Sequence, residues 1–273
     1  LPYAFEDQAS LEFVSGVSVS CGAMDASMLL IPAGVDDNPS ADRPAQLVNQ
    51  ASVDGFIVYS VADDDPYLAA VRNRGLPTVV CDQPAGAGDP FVGIDDREAI
   101  KPAIRALVEA GHTRIGVLCI RLDRVPNNGP VPTERIEGAH MHVQRSRLLG
   151  ILDVLREAGI SEPPIVERHI NNPQTAYEAA EELLAANPEL TAVACTTDSQ
   201  ALGVLRYAEK QRIDVPGQLS VTGFDGIPEA IDAHITTVRQ PSKDKGLESG
   251  NMLAGLIEKR LNDTSAKASR RVE

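Results

Sequence analysis

The sequence predicts an α/β fold of two similar lobes, each a parallel sheet flanked by helices. Short runs rich in Val, Ile and Leu recur along the chain and read as strands buried on both faces. Longer segments between them place apolar residues on one helical face. Capping residues and glycines punctuate the alternation, and repeated β–α units with such stops imply parallel strands joined by right-handed crossovers.

In order, the strand runs are 55–60 (GFIVYS), 77–82 (PTVVCD), 91–94 (FVGI), 114–120 (RIGVLCI), 165–170 (IVERHI), 191–196 (TAVACT) and 219–224 (LSVTGF). One helix is lined by Ile100, Ala103, Ile104, Leu107 and Val108, a second by Leu148, Ile151, Leu152 and Leu155, and a third by Ala180, Leu183 and Leu184. Asn38-Pro39, Asp65-Pro66 and Asn172-Pro173 each put a capping side chain before a proline whose missing N–H costs nothing in a first turn. Gly75, Gly111 and Gly159 follow helical patterns, where a left-handed residue ends a helix. The stretch 121–146 has no clean period and contains Pro126-Asn127-Asn128-Gly129-Pro130 and Pro132, so it reads as a long loop between two series of units.

The 273 residues carry 25 Lys and Arg against 39 Asp and Glu, a net charge of −14 that would repel a phosphate backbone. No run of about 18 apolar residues is present, so no membrane span is expected. Cys21, Cys81, Cys119 and Cys195 lie in apolar surroundings without paired spacing, which predicts free thiols, no metal site and a cytoplasmic location.

Ligands of open parallel sheets bind beyond the carboxyl ends of the strands. There the chain places Tyr59-Ser60, Asp82, Arg121, Thr197-Asp198 and Asp225. Carboxylates accept hydrogen bonds from hydroxyls or amines, and arginine offers a rigid donor fork. Each acid taken singly reads equally as a cap for the helix that follows it. This is binding chemistry, and no catalytic residue is assigned: the chain has no Gly-x-Gly-x-x-Gly, no phosphate loop, no His-Glu-x-x-His and no Gly-x-Ser-x-Gly. Ser242-x-x-Lys245 reads as a helix start, His140 and His142 as solvated loop residues, and His112 as a turn histidine bonded to nearby backbone. No cofactor is expected.

The series Val53-Asp54-Gly55-Phe56-Ile57-Val58, Gly75-Leu76-Pro77 through Asp82, Gly111-His112-Thr113-Arg114-Ile115-Gly116, Arg147-Leu148-Leu149-Gly150-Ile151, Thr197 through Gly203, Val215-Pro216 through Asp225, and Ile235-Thr236-Thr237-Val238-Arg239-Gln240-Pro241 resembles the effector-binding region of the LacI/GalR family of bacterial transcription regulators. The resemblance implies a type I periplasmic-binding-protein-like fold of two lobes with a small molecule in the cleft. It places the N-terminal lobe at 1–120 with 240–260 and the C-terminal lobe at 121–239 with 261–273. It implies a homodimer that reaches operator DNA only through a helix-turn-helix domain absent from this chain. By matching positions, it assigns effector contacts to Arg147 and Asp225, with Asp82, Thr197, Asp198 and Phe5 as further ligand residues; Arg121 joins them as a ligand residue from its place at a strand end. Thr197 stands where many members carry Asn. The small molecule is expected to be a sugar, and the alternative is the solute-binding protein of a sugar transporter.

Overall fold

Each of the seven apolar runs contains a strand. The computed structural model describes residues 7–31, 43–86 and 88–269, with side chains to residue 262. Its first elements are α1 (Gln8–Ala23), α2 (Arg43–Gln50), β1 (Phe56–Tyr59), α3 (Pro66–Arg74), β2 (Thr78–Cys81) and β3 (Phe91–Val92). Next come α4 (Asp96–Glu109), β4 (Ile115–Ile120), β5 (Gly129–Pro130), α5 (Thr133–Glu137) and α6 (His142–Glu157). Then follow β6 (Ile165–Arg168), α7 (Pro173–Ala186), β7 (Ala192–Cys195), α8 (Asp198–Gln211), β8 (Ser220–Asp225), α9 (Pro228–Asp232), β9 (Thr236–Arg239) and α10 (Ser242–Ser269).

The chain divides into two compact units, residues 1–93 with 241–273 and residues 94–240. The division at 93/94 lies upstream of the expected 120, and α10 stays with the first unit as far as residue 269. The reason lies in strand pairing: β4 pairs with both β6 and β7, so the helix and strand at 96–120 belong with the second sheet. Helix α4 also packs along α6, at a contact that requires a missing side chain: a Cβ on Gly150 would lie 2.3 Å from the Arg97 carbonyl oxygen.

In the first unit β1, β2 and β3 form a parallel sheet in that order. Val48, Phe56, Val58, Leu68, Val71 and Val80 pack on one side of it, and Phe13, Val17 and Cys81 form a smaller cluster with α1. Helix α1, lying alongside α10, was not expected from sequence.

The second unit holds a six-stranded sheet in the order β5-β6-β4-β7-β8-β9, parallel except for β5. Leu183, Val193, Ala201 and Val204 fill the core under α7 and α8. Ile100, Ile104, Leu148, Ile151 and Phe224 fill the other under α4 and α6. Burying each such large side chain contributes roughly 1.5–3 kcal/mol. The caps form as expected: Asp65 accepts from Tyr67 N at 2.8 Å, and Asn172 closes a capping box with Thr175. Asn38 and Pro39 lie outside the described residues.

The 121–146 stretch is ordered where a loop was expected. It contains β5 and α5, and α6 starts inside it at His142. His140 Nδ1 donates to Asp123 Oδ2 over 2.6 Å, a tie that the solvated-loop reading did not include. His112 bonds the hydroxyls of Thr191 and Ser220, at 2.9 and 3.0 Å, and not the backbone that its turn position led us to expect.

Candidate functional site

In the second unit the chain runs from β4 outward to β6 and then returns past β4 to β7, so the crossovers reverse at β4. A crevice between neighbouring strand ends is the usual ligand position at such a reversal. Arg121 follows β4 directly, its backbone N–H donating to Arg168 O at 3.0 Å. Thr196 and Thr197 follow β7, and Asp225 ends β8.

Arg147, the sixth residue of α6, reaches this edge and is 7% exposed. Its Nε donates to Asp96 Oδ1 at 2.8 Å, and its Nη1 to the Thr196 carbonyl at 3.0 Å and to Asp225 Oδ1 at 3.3 Å. The guanidinium carbon sits 3.9 Å from the Phe224 ring centroid, a stacked cation–π arrangement in a desolvated place. One arginine thus ties together the start of α4, the end of β7 and the end of β8.

Asp225 is held just as firmly. Gln240 donates to it twice, from its backbone N to the Asp225 carbonyl at 2.9 Å and from Nε2 to Oδ1 at 2.6 Å. Its φ of +126° is a conformation that L residues seldom adopt, and surrounding bonds must sustain it. Such strain at a strand end aims a side chain that regular geometry would turn elsewhere.

Thr197 is the N-cap of α8, its hydroxyl accepting from Gln200 N at 3.3 Å and donating to Asn171 Oδ1 at 3.4 Å. Asp198 is fully buried. Its carboxylate accepts from Gly226 N at 2.7 Å, Ile227 N at 2.9 Å and Thr237 Oγ1 at 2.6 Å. Gly223 leaves the room, since a Cβ there would lie 2.1 Å from Asp198 Oδ1. Burial raises the Asp198 pKa above the ordinary carboxylate value, and these three donors work against that rise. Its carboxylate ties the end of β8 and β9 to the start of α8.

Asp82 belongs to the first unit, at the end of β2 with φ +67°. Lys245 Nζ donates to both of its carboxylate oxygens, at 2.7 and 2.8 Å, within a buried pair. Beside it Gln83, with no exposure, donates to Ser60 Oγ at 3.2 Å. Tyr59 stacks on Phe13 with centroids 3.9 Å apart, and burial followed by the Asp82 charge raises its phenol pKa. Burial also pushes the Cys81 thiol up to about 12. Phe5 lies outside the described residues.

Arg147 and Asp225 are thus brought into contact, with Arg121 and Thr197 on the same sheet edge. Sequence reasoning missed Asp96, Phe224 and Gln240 as partners of Arg147 and Asp225, and Lys245 as the partner of Asp82. Signals for two were present, Gln240 in the Arg239-Gln240-Pro241 run and Lys245 in Ser-x-x-Lys. Among the described residues no group of three metal-ligating side chains occurs, and no helix is long and apolar enough to cross a membrane.

Residues 104–273 match the periplasmic binding protein-like domain family. The HTH-type transcriptional regulator IpsA of Corynebacterium glutamicum is 48% identical over 262 residues, covering 95% of this chain and 73% of that protein. The HTH-type transcriptional repressor PurR of Klebsiella pneumoniae is 30% identical over 254 residues, covering 90% of this chain and 69% of its own length. A crystal structure of a LacI family transcriptional regulator from Corynebacterium glutamicum superimposes with a TM-score of 0.90 at 48% identity, over 95% of this chain and 77% of that one.

Proposed function

Because the chain belongs to the LacI family of transcriptional regulators and spans their periplasmic-binding-protein-like effector region, we propose that it binds a small hydroxyl-rich metabolite, a sugar or related polyol, through Arg147 and Asp225. What supports this is the Arg147–Asp225 contact at the carboxyl edge of the second sheet, held from behind by Asp96, Gln240 and Phe224. A guanidinium fork and a carboxylate side by side can donate to and accept from the same hydroxyl-bearing carbon skeleton. Thr197 and Arg121 are the nearby candidates for further contacts on the second unit, and in the first unit Asp82 is a candidate whose carboxylate is bound by Lys245.

Effector binding would change operator affinity by the ratio of its affinities for the two states of the regulator, and by no more than that. The regulator would work as a homodimer in the cytoplasm, would contact operator DNA through a helix-turn-helix domain, and would catalyse nothing. The relatives carry regulator names, which favours this reading over the solute-binding protein of a transporter.

The test is calorimetry of the chain against monosaccharides, disaccharides, cyclic polyols, nucleobases and nucleosides. A hydroxyl-rich compound should bind, and Arg147→Ala and Asp225→Ala should each remove that binding. Absence of any binder, joined to unchanged operator regulation in full-length proteins carrying those substitutions, overturns the reading. Binding of a nucleobase alone would replace the ligand class and keep the site.

A further inference from the structure

The second unit contains a carboxylate that the candidate site does not use. Glu167, in the middle of β6, has no exposure, yet sits among apolar strands. Four hydrogen bonds reach it. Leu122 N donates to Oε1 at 2.9 Å, Arg135 Nη2 to Oε1 at 2.8 Å, Arg135 Nε to Oε2 at 2.5 Å, and Asn127 Nδ2 to Oε2 at 3.1 Å. Every one of these donors lies in the 121–141 excursion.

The bonds continue beyond Glu167 and close on themselves. Met141 N donates to the Leu122 carbonyl at 3.1 Å, which pins the far end of the excursion to its near end. Arg145 N donates to the Met141 carbonyl at 3.0 Å in the first turn of α6. The Arg145 side chain then turns back, Nε donating to the Ile136 carbonyl at 2.9 Å, and Ile136 adjoins Arg135. The ring thus runs Glu167, Leu122, Met141, Arg145, Ile136, Arg135 and back to Glu167. Arg147 stands two residues beyond it on the same helix.

We propose that Glu167 is a positioning residue for Arg147: its carboxylate clasps the excursion and thereby sets where α6 begins and where the Arg147 guanidinium lies over Phe224. A buried charge is costly unless it is fully paired, and replacing both partners of a buried pair by neutral residues is often tolerated whereas removing one is not. Stability alone could be served by an apolar residue at 167. The clasp supplies something apolar packing does not, a defined register between the 121–141 excursion and the helix that carries the ligand arginine. This inference gives the proposed effector site a second reason for its geometry, and it rests on that reading only for its consequence in binding.

The experiment reads Arg147 in the ligand-free chain, so its outcome is independent of whether any effector is found. The Arg147 Nε–Hε signal in a nitrogen-15 spectrum is identified by its disappearance in Arg147→Lys. Stacking on Phe224 displaces it from its free-arginine position. Two proteins are compared with the parent, the paired neutral Glu167→Gln/Arg135→Met variant and the single Arg145→Met variant, which cuts the ring at its half-buried strap and leaves the Glu167–Arg135 pair whole. In each, thermal unfolding remains a single cooperative transition and the Arg147 signal moves at least halfway to its free-arginine position. An Arg147 signal that stays at the parent position in a cooperatively folded variant overturns the proposal. If the paired variant does not fold, the Arg145→Met result decides by the same criterion.

Discussion

The guanidinium of Arg147 and the ring of Phe224 lie 3.9 Å apart in the core of the second unit, while the same arginine donates to buried Asp96. Lysine can supply the charge at this place but neither the planar stack nor the fork. Arg147→Lys is expected to weaken effector binding at least tenfold, measured by calorimetry with the compound that binds the parent. Arg147→Ala should in addition destabilise by about 3 kcal/mol, because it leaves the Asp96 carboxylate buried without its cation; urea unfolding reads that loss.

Gly150 sits where α6 meets α4. A Cβ there would meet the Arg97 carbonyl at 2.3 Å and the Ile100 Cγ2 at 2.6 Å. Backbone cannot give way as a flexible side-chain tip can, so Gly150→Ala should lower stability by about 1–3 kcal/mol. The urea midpoint should fall with an unchanged slope.

Cys81, Cys119 and Cys195 are buried, and burial raises each thiol pKa, that of Cys81 to about 12. Thiolate is the reactive form. In the native chain a disulfide reagent such as dithionitrobenzoate should therefore titrate Cys21 alone, with the other three reacting only in denaturant. Two or more fast-reacting native thiols would contradict the burial described for the first and second units.

Asp153 is held below the ordinary carboxylate value chiefly by its hydrogen bond with Arg97. A lowered folded-state pKa means that the unfolded chain binds more protons between the two values, so this stabilisation is present above the unfolded pKa near 4 and lost as pH falls through the folded one. Asp153→Asn should cost about 0.5 kcal/mol at pH 7, solvent screening a pair whose arginine is 47% exposed. The difference from the parent should vanish in unfolding curves at pH 2. Asp198 acts with the opposite sign, since its raised pKa means that ionising it removes stability as pH climbs from the unfolded value to the folded one.

Strands buried on both faces were legible because Val, Ile and Leu run through them unbroken, as in β4 and β7. Strand β9 was visible only as part of a familiar series: it lies at a sheet edge, half-exposed, and its Thr236-Thr237-Val238-Arg239 carries no apolar period. Helix α1 was hidden by serines and glycines interleaved among its valines. The order in the 121–146 stretch depends on Glu167, 32 residues from its partner Arg135, and no local pattern could reveal that pairing. At the site, Arg147 and Asp225 were readable from their places in a series. The tie made by Asp198 was not, because it depends on three donors 28 to 39 residues further along the chain.

The division of the chain also orders its assembly in time. The second unit is one continuous segment, whereas the first needs residues from both ends of the chain. Asp82 leaves the ribosome 163 residues ahead of Lys245. At about 5–20 residues per second that is an interval of roughly 8–30 seconds between the two halves of a buried pair. The first unit is therefore completed only after every residue of the second has been made.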